Sequence, residues 1–263
     1  MKQYKIGIVL SGGGARGIAH IGILQALEEA GIFPEVIAGS SAGSIAGAFY
    51  AHGYSPQEML QIIKEIGYLR AIRPGIGRMG LIHARSLEKV LRKYVTKTFE
   101  ELDKKLYVCA TSLRWGDARY FSSGDVVTPV VASSAVPVMV TPVTIDDELY
   151  TDGGVVNNFP IDPIEGSAEL LLGAAVNPIS YDRGVIRSMK SVAERTFFLT
   201  LRQNEKERKE RVDWLVEPQE LYKYGILDVR KADKIYKIGY EATLRRLEEQ
   251  NPLDQLPAAI KIA

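Results

Sequence analysis

Two glycine turns near the N-terminus narrow the fold more than any other feature. The apolar run Ile6-Gly7-Ile8-Val9-Leu10 breaks at Gly12-Gly13-Gly14-Ala15-Arg16-Gly17, and Val36-Ile37-Ala38 breaks at Gly39-Ser40-Ser41-Ala42-Gly43. Both runs have strand length, and both turns open into helical spacing. The first helix, from about Gly17 to Ala30, carries Ile18, Ile21, Leu24 and Leu27 on one face and stops at Gly31. The second, Ala42 to Ala51, is apolar or small almost all round and closes at Gly53, so it must be buried. Such alternation of strand and helix specifies parallel strands joined by crossovers.

The rest of the chain extends the pattern. Ser55-Pro56-Gln57-Glu58 supplies an N-cap, a proline at the first helical position and a reciprocal glutamate, predicting a helix to about Ile66. Gly67 to Leu81 shows no period and reads as a surface loop. A helix near Leu87 to Tyr94 and a Thr98–Glu101 cap precede the strand Leu106 to Thr111, with Arg119-Tyr120-Phe121 as its hairpin partner. Thr141 to Ile145 and Glu148 to Thr151 flank Asp146-Asp147 as a second hairpin, which delivers Asp152 at a strand end. Leu170 to Val176 is a further strand, and Trp214-Leu215-Val216 the last. The charged run Asn204 to Arg211 belongs on a solvated helix face or loop, and Val229 to Leu247 forms a C-terminal helix. The expected fold is an α/β class, three-layer α/β/α sandwich with a largely parallel central sheet and some antiparallel hairpins. With 263 residues and 46% apolar content, one domain over 1–263 is expected.

Charge and cysteine content exclude several classes. Lys plus Arg number 33 against 32 Asp plus Glu, so the net charge of +1 gives no field for nucleic acid. Cys109 is the only cysteine, which rules out an internal disulfide and any multi-cysteine metal site, and its apolar setting reads as a small buried hydrophobe. The N-terminus is too short and too soon interrupted by glycine for a signal peptide. Val36 to Gln57 is broken by Gly and Ser, and Val126 to Ile145 carries Pro129, Pro137 and Pro142, so neither suits a membrane span. A cytoplasmic protein is expected. The segment Tyr68 to Leu81 interleaves Arg70, Arg73 and Arg78 with apolar residues, the one candidate for peripheral membrane contact.

Gly-X-Ser-X-Gly between a strand and a helix is a nucleophile elbow, in which small flanking residues allow a tight turn that lifts the serine hydroxyl above the sheet edge. Ser41 holds that position, between Gly39 and Gly43, and the Ala42 amide at the helix start faces developing negative charge. Such a serine needs a base. The three histidines, His20, His52 and His83, all precede the acid candidates, contrary to the Ser, acid, His order of α/β hydrolases, and each reads as a packing or capping residue. A carboxylate remains: Asp152, followed by Gly153 and Gly154, which permit close approach of another backbone. Asp146 and Asp147 fit a surface turn better.

Gly12-Gly13-Gly14-Ala15-Arg16-Gly17 also matches the dinucleotide fingerprint. That fingerprint requires an acidic residue at the far end of the second strand, where this chain has the serine turn instead. The same backbone serves as an oxyanion cradle, with donors from Gly12, Gly13 and Gly14. Arg16 either stabilises this loop or attracts an anionic head group.

Taken together, these three motifs resemble the patatin-like phospholipases. Arg16-Gly17-Ile18-Ala19-His20-Ile21-Gly22 and Gly153-Gly154-Val155-Val156-Asn157-Asn158-Phe159-Pro160 are similar to the bacterial branch related to neuropathy target esterase. The resemblance implies a Ser41–Asp152 dyad, a glycine-loop oxyanion hole, no metal or cofactor, and an acyl-ester or lipid substrate. It departs from the family in Ser40, where Thr is commoner, in Val138, where Gly is frequent, and in Ser112, where bacterial relatives often have Asp. The alternative is a non-catalytic lipid- or nucleotide-binding protein on the same scaffold.

Overall fold

The computed structural model describes residues 4–68, 74–77, 80–178 and 189–256. Its strands are β1 (Tyr4–Leu10), β2 (Val36–Ser40), β3 (Pro74–Gly77), β4 (Gly80–Ile82), β5 (Lys105–Ser112), β6 (Ala118–Phe121), β7 (Val143–Ile145), β8 (Glu148–Asp152), β9 (Ala168–Ala174) and β10 (Trp214–Val216). Its helices are α1 (Ala19–Glu29), α2 (Ala42–His52), α3 (Pro56–Tyr68), α4 (Ala84–Leu91), α5 (Val127–Ser133), α6 (Met189–Lys209) and α7 (Ala232–Glu249).

All strands but β3 and β4 join one eight-stranded sheet. β10, β9, β1, β2 and β5 follow in that order and pair in parallel, while β6, β7 and β8 add antiparallel pairs. Alternation along the strands divides the core. Ile6, Ile8, Leu10, Ile37, Leu170 and Leu172 face one buried cluster, which α1, α2, α3 and α7 help to build. Val9, Val36, Ala38 and Leu171 face the other, covered by Phe159, Ile161 and Ile164. From α6, buried Leu201 lies against Gly154. The architecture is therefore an α/β sandwich on a mostly parallel sheet.

Both edges of β5 are occupied. β6 pairs with Val108–Thr111 of β5, overlapping both the β2 pairing at Val108 and Cys109 and the β8 pairing at Ala110 and Thr111. Since a strand has only two edges, β2 and β8 must share the edge opposite β6. They run toward each other along it and meet end to end, Ser40 opposite Cys109 and Asp152 opposite Ala110.

Several expectations need correction. The Gly67 to Leu81 segment is not merely a loop: α3 runs to Tyr68, and Pro74–Gly77 pairs antiparallel with Gly80–Ile82. The Arg70, Arg73 and Arg78 positions lie outside the described residues. α1 begins two residues later than expected, after a tight turn over Gly14–Ile18. Val127–Ser133 is a helix that the prolines and β-branched residues around it had concealed. The charged run from Asn204 ends α6, yet Glu205 within it is fully buried. Other local signals read through directly: Ser55 and Glu58 form the reciprocal cap, with the Ser55 amide donating to Glu58 Oε2 at 2.8 Å, and Gly53 stops α2 at φ +108°. Among the described residues no helix is long and apolar enough to cross a membrane.

Candidate active site

The carboxyl ends of β1, β2 and β9 lie side by side, so the glycine loop, the serine turn and Asn177 gather at one edge of the sheet. Ligands of open parallel sheets bind at that edge. Ser41 caps α2 with φ +50° and ψ −121°, a backbone conformation that non-glycine residues seldom hold and that must be enforced by its surroundings. Its amide donates to Ser133 Oγ at 2.8 Å, and its carbonyl accepts from Ser44 Oγ at 2.7 Å. The flanking glycines are steric requirements. A Cβ on Gly39 would lie 2.6 Å from the Gly43 carbonyl oxygen, Gly43 itself abuts the Leu10 carbonyl, and Gly17 abuts Ala42 Cβ.

The end-to-end meeting of β2 and β8 brings the two predicted polar groups together. Ser41 Oγ donates to Asp152 Oδ2 at 2.7 Å, and the Gly154 amide donates to Oδ1 at 2.8 Å. Gly153 has no room for a Cβ because the Cys109 carbonyl and Ser40 Oγ occupy the space. Asp152 is 1% exposed, and this burial pushes its carboxyl from 3.8 up to about 6 against the opposing effect of those two hydrogen bonds. A carboxylate so tuned is a far better proton acceptor near neutrality than a free aspartate.

The histidines sit elsewhere. His20 is buried, and its Nε2 must carry the proton because it faces the Ser11 carbonyl oxygen at 2.8 Å. Burial lowers its pKa to about 4, so the ring is neutral. His52 stacks on Tyr54 with centroids 5.1 Å apart, and His83 immediately precedes α4.

The glycine loop is held from several sides. Gly14 adopts φ +56° beneath Ile226, where a side chain would clash, and the Ala15 amide donates to the Ile226 carbonyl at 2.9 Å. Arg16 is buried and donates through Nε to the Tyr224 carbonyl at 2.6 Å, so it braces the loop against the 222–224 segment. The Gly12 amide is already committed, to the Asn158 carbonyl at 3.1 Å, which removes it from the expected oxyanion donors. The amides of Gly13 and Gly14 have no hydrogen-bond partner among the described residues, and Ala42, first residue of α2, has no carbonyl within its helix to receive its own.

Three residues beside the site carried no expectation from sequence, Ser133, Asn177 and Glu205, and Asn158 entered only within a family motif, with no role of its own. Ser133 ends the unexpected helix α5, and Asn177 follows the apolar strand β9, where a polar residue at a carboxyl edge is a usable signal. Glu205 carries no local signal at all. Of the family departures, Ser40 Oγ is buried without a hydrogen-bond partner among the described residues, whereas Ser112 Oγ is engaged with Glu148. Val138 has φ +69°, which explains a preference for glycine there.

A family model described as patatin-like phospholipase matches residues 8–164, spanning both glycine turns and Asp152. An uncharacterised NTE family protein of Mycobacterium tuberculosis is 32% identical over 177 residues, covering 66% of this chain and 49% of that protein. Lysophospholipase nte1 of Aspergillus niger is 27% identical over 96% of this chain but only 18% of its own length. This chain thus spans about half or less of these curated relatives. VipD of Legionella pneumophila shares the fold, with a TM-score of 0.55, 15% identity, and coverage of 94% of this chain and 67% of that one. On the strength of the family match, the chain belongs to the patatin-like phospholipases.

Proposed function

We propose that this protein is a serine lipid acyl hydrolase, a phospholipase, lysophospholipase or carboxylesterase that works through a Ser41–Asp152 dyad. The observation that carries the reading is the 2.7 Å hydrogen bond from Ser41 Oγ to a buried Asp152 carboxylate. Asp152 takes the Ser41 proton as Oγ attacks the ester carbonyl, and the amides of Gly13, Gly14 and Ala42 stabilise the oxyanion. The intermediate collapses as Asp152 returns the proton to the departing alkoxide. Water then enters, gives a proton to Asp152 and attacks the acyl-enzyme, and Asp152 hands that proton to Ser41 Oγ as the acyl–oxygen bond breaks and the acid leaves. The steps call on no metal or cofactor.

Family membership supports lipid hydrolysis in general, and the lysophospholipase among the relatives supports lysophospholipids as the first class to try. The likeness to the mycobacterial protein favours the bacterial branch related to neuropathy target esterase. We further infer one hydrolase unit over residues 1–263, acting in the cytoplasm, with the Tyr68–Leu81 segment as the candidate for peripheral membrane contact against the alternative of an ordinary surface loop. Liposome co-sedimentation after changing Arg70, Arg73 and Arg78 tests that contact: unchanged sedimentation removes it from the proposal.

The central test is a fluorophosphonate probe combined with a panel of lysophospholipids, phospholipids and short acyl esters. Wild-type protein should take the probe and hydrolyse at least one class, and Ser41→Ala should do neither. An unlabelled, inactive wild type that is stabilised by nucleotide in a thermal shift would overturn the enzyme reading.

A further inference from the structure

Behind the glycine loop lies a buried polar cluster that the dyad mechanism does not use. Glu205, from α6, is fully buried, and its Oε1 accepts from the side-chain amides of both Asn158 and Asn177, the latter at 3.1 Å. The same two amides also donate to the Gly12 carbonyl oxygen, Asn177 Nδ2 at 2.5 Å and Asn158 Nδ2 at 3.4 Å. Ser11 Oγ adds a third donor to that carbonyl at 3.0 Å. Lys209 Nζ stands 3.7 Å from Glu205 Oε2 and 2.6 Å from Glu217 Oε1.

The orientation of the two asparagines has a cause. Each leaves its Oδ1 buried without a hydrogen-bond partner among the described residues, an unfavourable arrangement by itself. It is the lesser cost, because both Gly12 O and Glu205 Oε1 can only accept. Turning either amide over would aim an oxygen at an oxygen. Glu205 Oε1 and the Gly12 carbonyl together thus fix which atom each asparagine offers to the loop.

In a trans peptide the carbonyl and the next amide point in opposite directions. Drawing Gly12 C=O into the Asn158–Asn177 cluster therefore turns the Gly13 N–H outward on the other side. That amide is one of those free for an oxyanion. From this geometry we infer that Glu205 is a positioning residue, orienting Asn158 and Asn177 so that the Gly12–Gly13 peptide presents its N–H to the developing oxyanion. The inference rests on the hydrolase reading above and adds to it a dependence on a helix remote in sequence from all three motifs.

The test is the split between kcat and KM on a short acyl ester, with the rate of fluorophosphonate labelling alongside. Glu205→Leu removes the acceptor at similar volume, and should lower kcat and the labelling rate about tenfold to a hundredfold with KM within about twofold, a part of the about 10²–10³ that complete loss of one oxyanion donor costs, because the Gly13 amide is misoriented and not removed. Glu205→Gln keeps a carbonyl oxygen for the two amides and should stay within about threefold of wild type. Should Glu205→Leu fail to melt cooperatively, Asn177→Ala decides by the same split. A kcat within twofold of wild type in the deciding variant overturns the inference, as does a loss carried by KM or a Glu205→Gln as impaired as the leucine variant. Failure of the hydrolase reading looks different, because wild-type protein would then neither label nor turn over.

Discussion

Ser41 and Asp152, separated by 111 positions in sequence, are joined by one 2.7 Å hydrogen bond where β2 and β8 meet head to head. In the proposed mechanism Asp152 must be ionised to accept the serine proton, so kcat/KM should rise with pH and level off above about 6, the value to which burial pushes its carboxyl. Replacing Asp152 with Asn should lower kcat by about 10²–10⁴ and abolish this acid limb. A pH–rate profile with no limb between pH 5 and pH 7 would assign the base elsewhere.

The same burial has a consequence for stability. The folded carboxyl, near 6, lies above its ordinary value of 3.8, so the folded state binds the proton more tightly than the unfolded state. Stability from this group is present below pH 3.8 and lost as pH rises through about 6, on the order of 3 kcal/mol in all. Asp152→Asn, which cannot ionise, should therefore be more stable than wild type at pH 8, and the difference should shrink toward pH 4. Melting temperatures across that range measure it. A variant less stable at pH 8 would show that the carboxylate's hydrogen bonds outweigh its desolvation.

Ser133 is expected to matter as an acceptor. Its Oγ takes the Ser41 amide at 2.8 Å in a buried setting, and Ser133→Ala would leave that N–H unsatisfied at a cost of about 1–3 kcal/mol. Since the same bond helps hold Ser41 at φ +50°, probe labelling should slow as the melting temperature falls. Unchanged labelling with a lowered melting temperature would limit Ser133 to a structural role.

Val138 offers the opposite sign. It is 76% exposed and holds φ +69°, a conformation in which a β-branched side chain is strained. Val138→Gly should relieve about 1–2 kcal/mol of strain, less the entropy that glycine adds to the unfolded chain. The expected net gain is about 1 kcal/mol, a rise of about 2–4 °C in Tm with unchanged turnover.

What could be read from sequence divides by physical range. The serine turn, the capping pair Ser55–Glu58 and the hairpin around Asp146-Asp147 are encoded within a few residues, since their partners are their own neighbours. Asp146 and Asp147 sit at φ +47° and +61°, as a two-residue hairpin turn requires. Helix α5 hid because Val127-Thr128-Pro129-Val130 has poor helical propensity, and its burial under the sheet edge overrides that preference. Glu205 hid for a stronger reason. In the run Asn204 to Arg211 nothing distinguishes it from its solvated neighbours, and only the fold supplies Asn158 and Asn177 from distant segments. A glycine in a cradle-shaped loop says nothing about whether its own N–H is already taken, as that of Gly12 is by the Asn158 carbonyl.

The shared edge of β5 also sets how this chain can change length. Cys109 fixes where β2 ends and Ala110 fixes where β8 ends, so two adjacent residues act as the ruler for the gap between Ser41 and Asp152. An extra residue inserted between them would push Ser41 and Asp152 apart by about 3.3 Å and reverse the facing of every residue beyond. Insertions in the 113–117 turn or after β8 leave that interval untouched. Evolution of such a chain is free to lengthen its loops, but this one step of strand cannot grow.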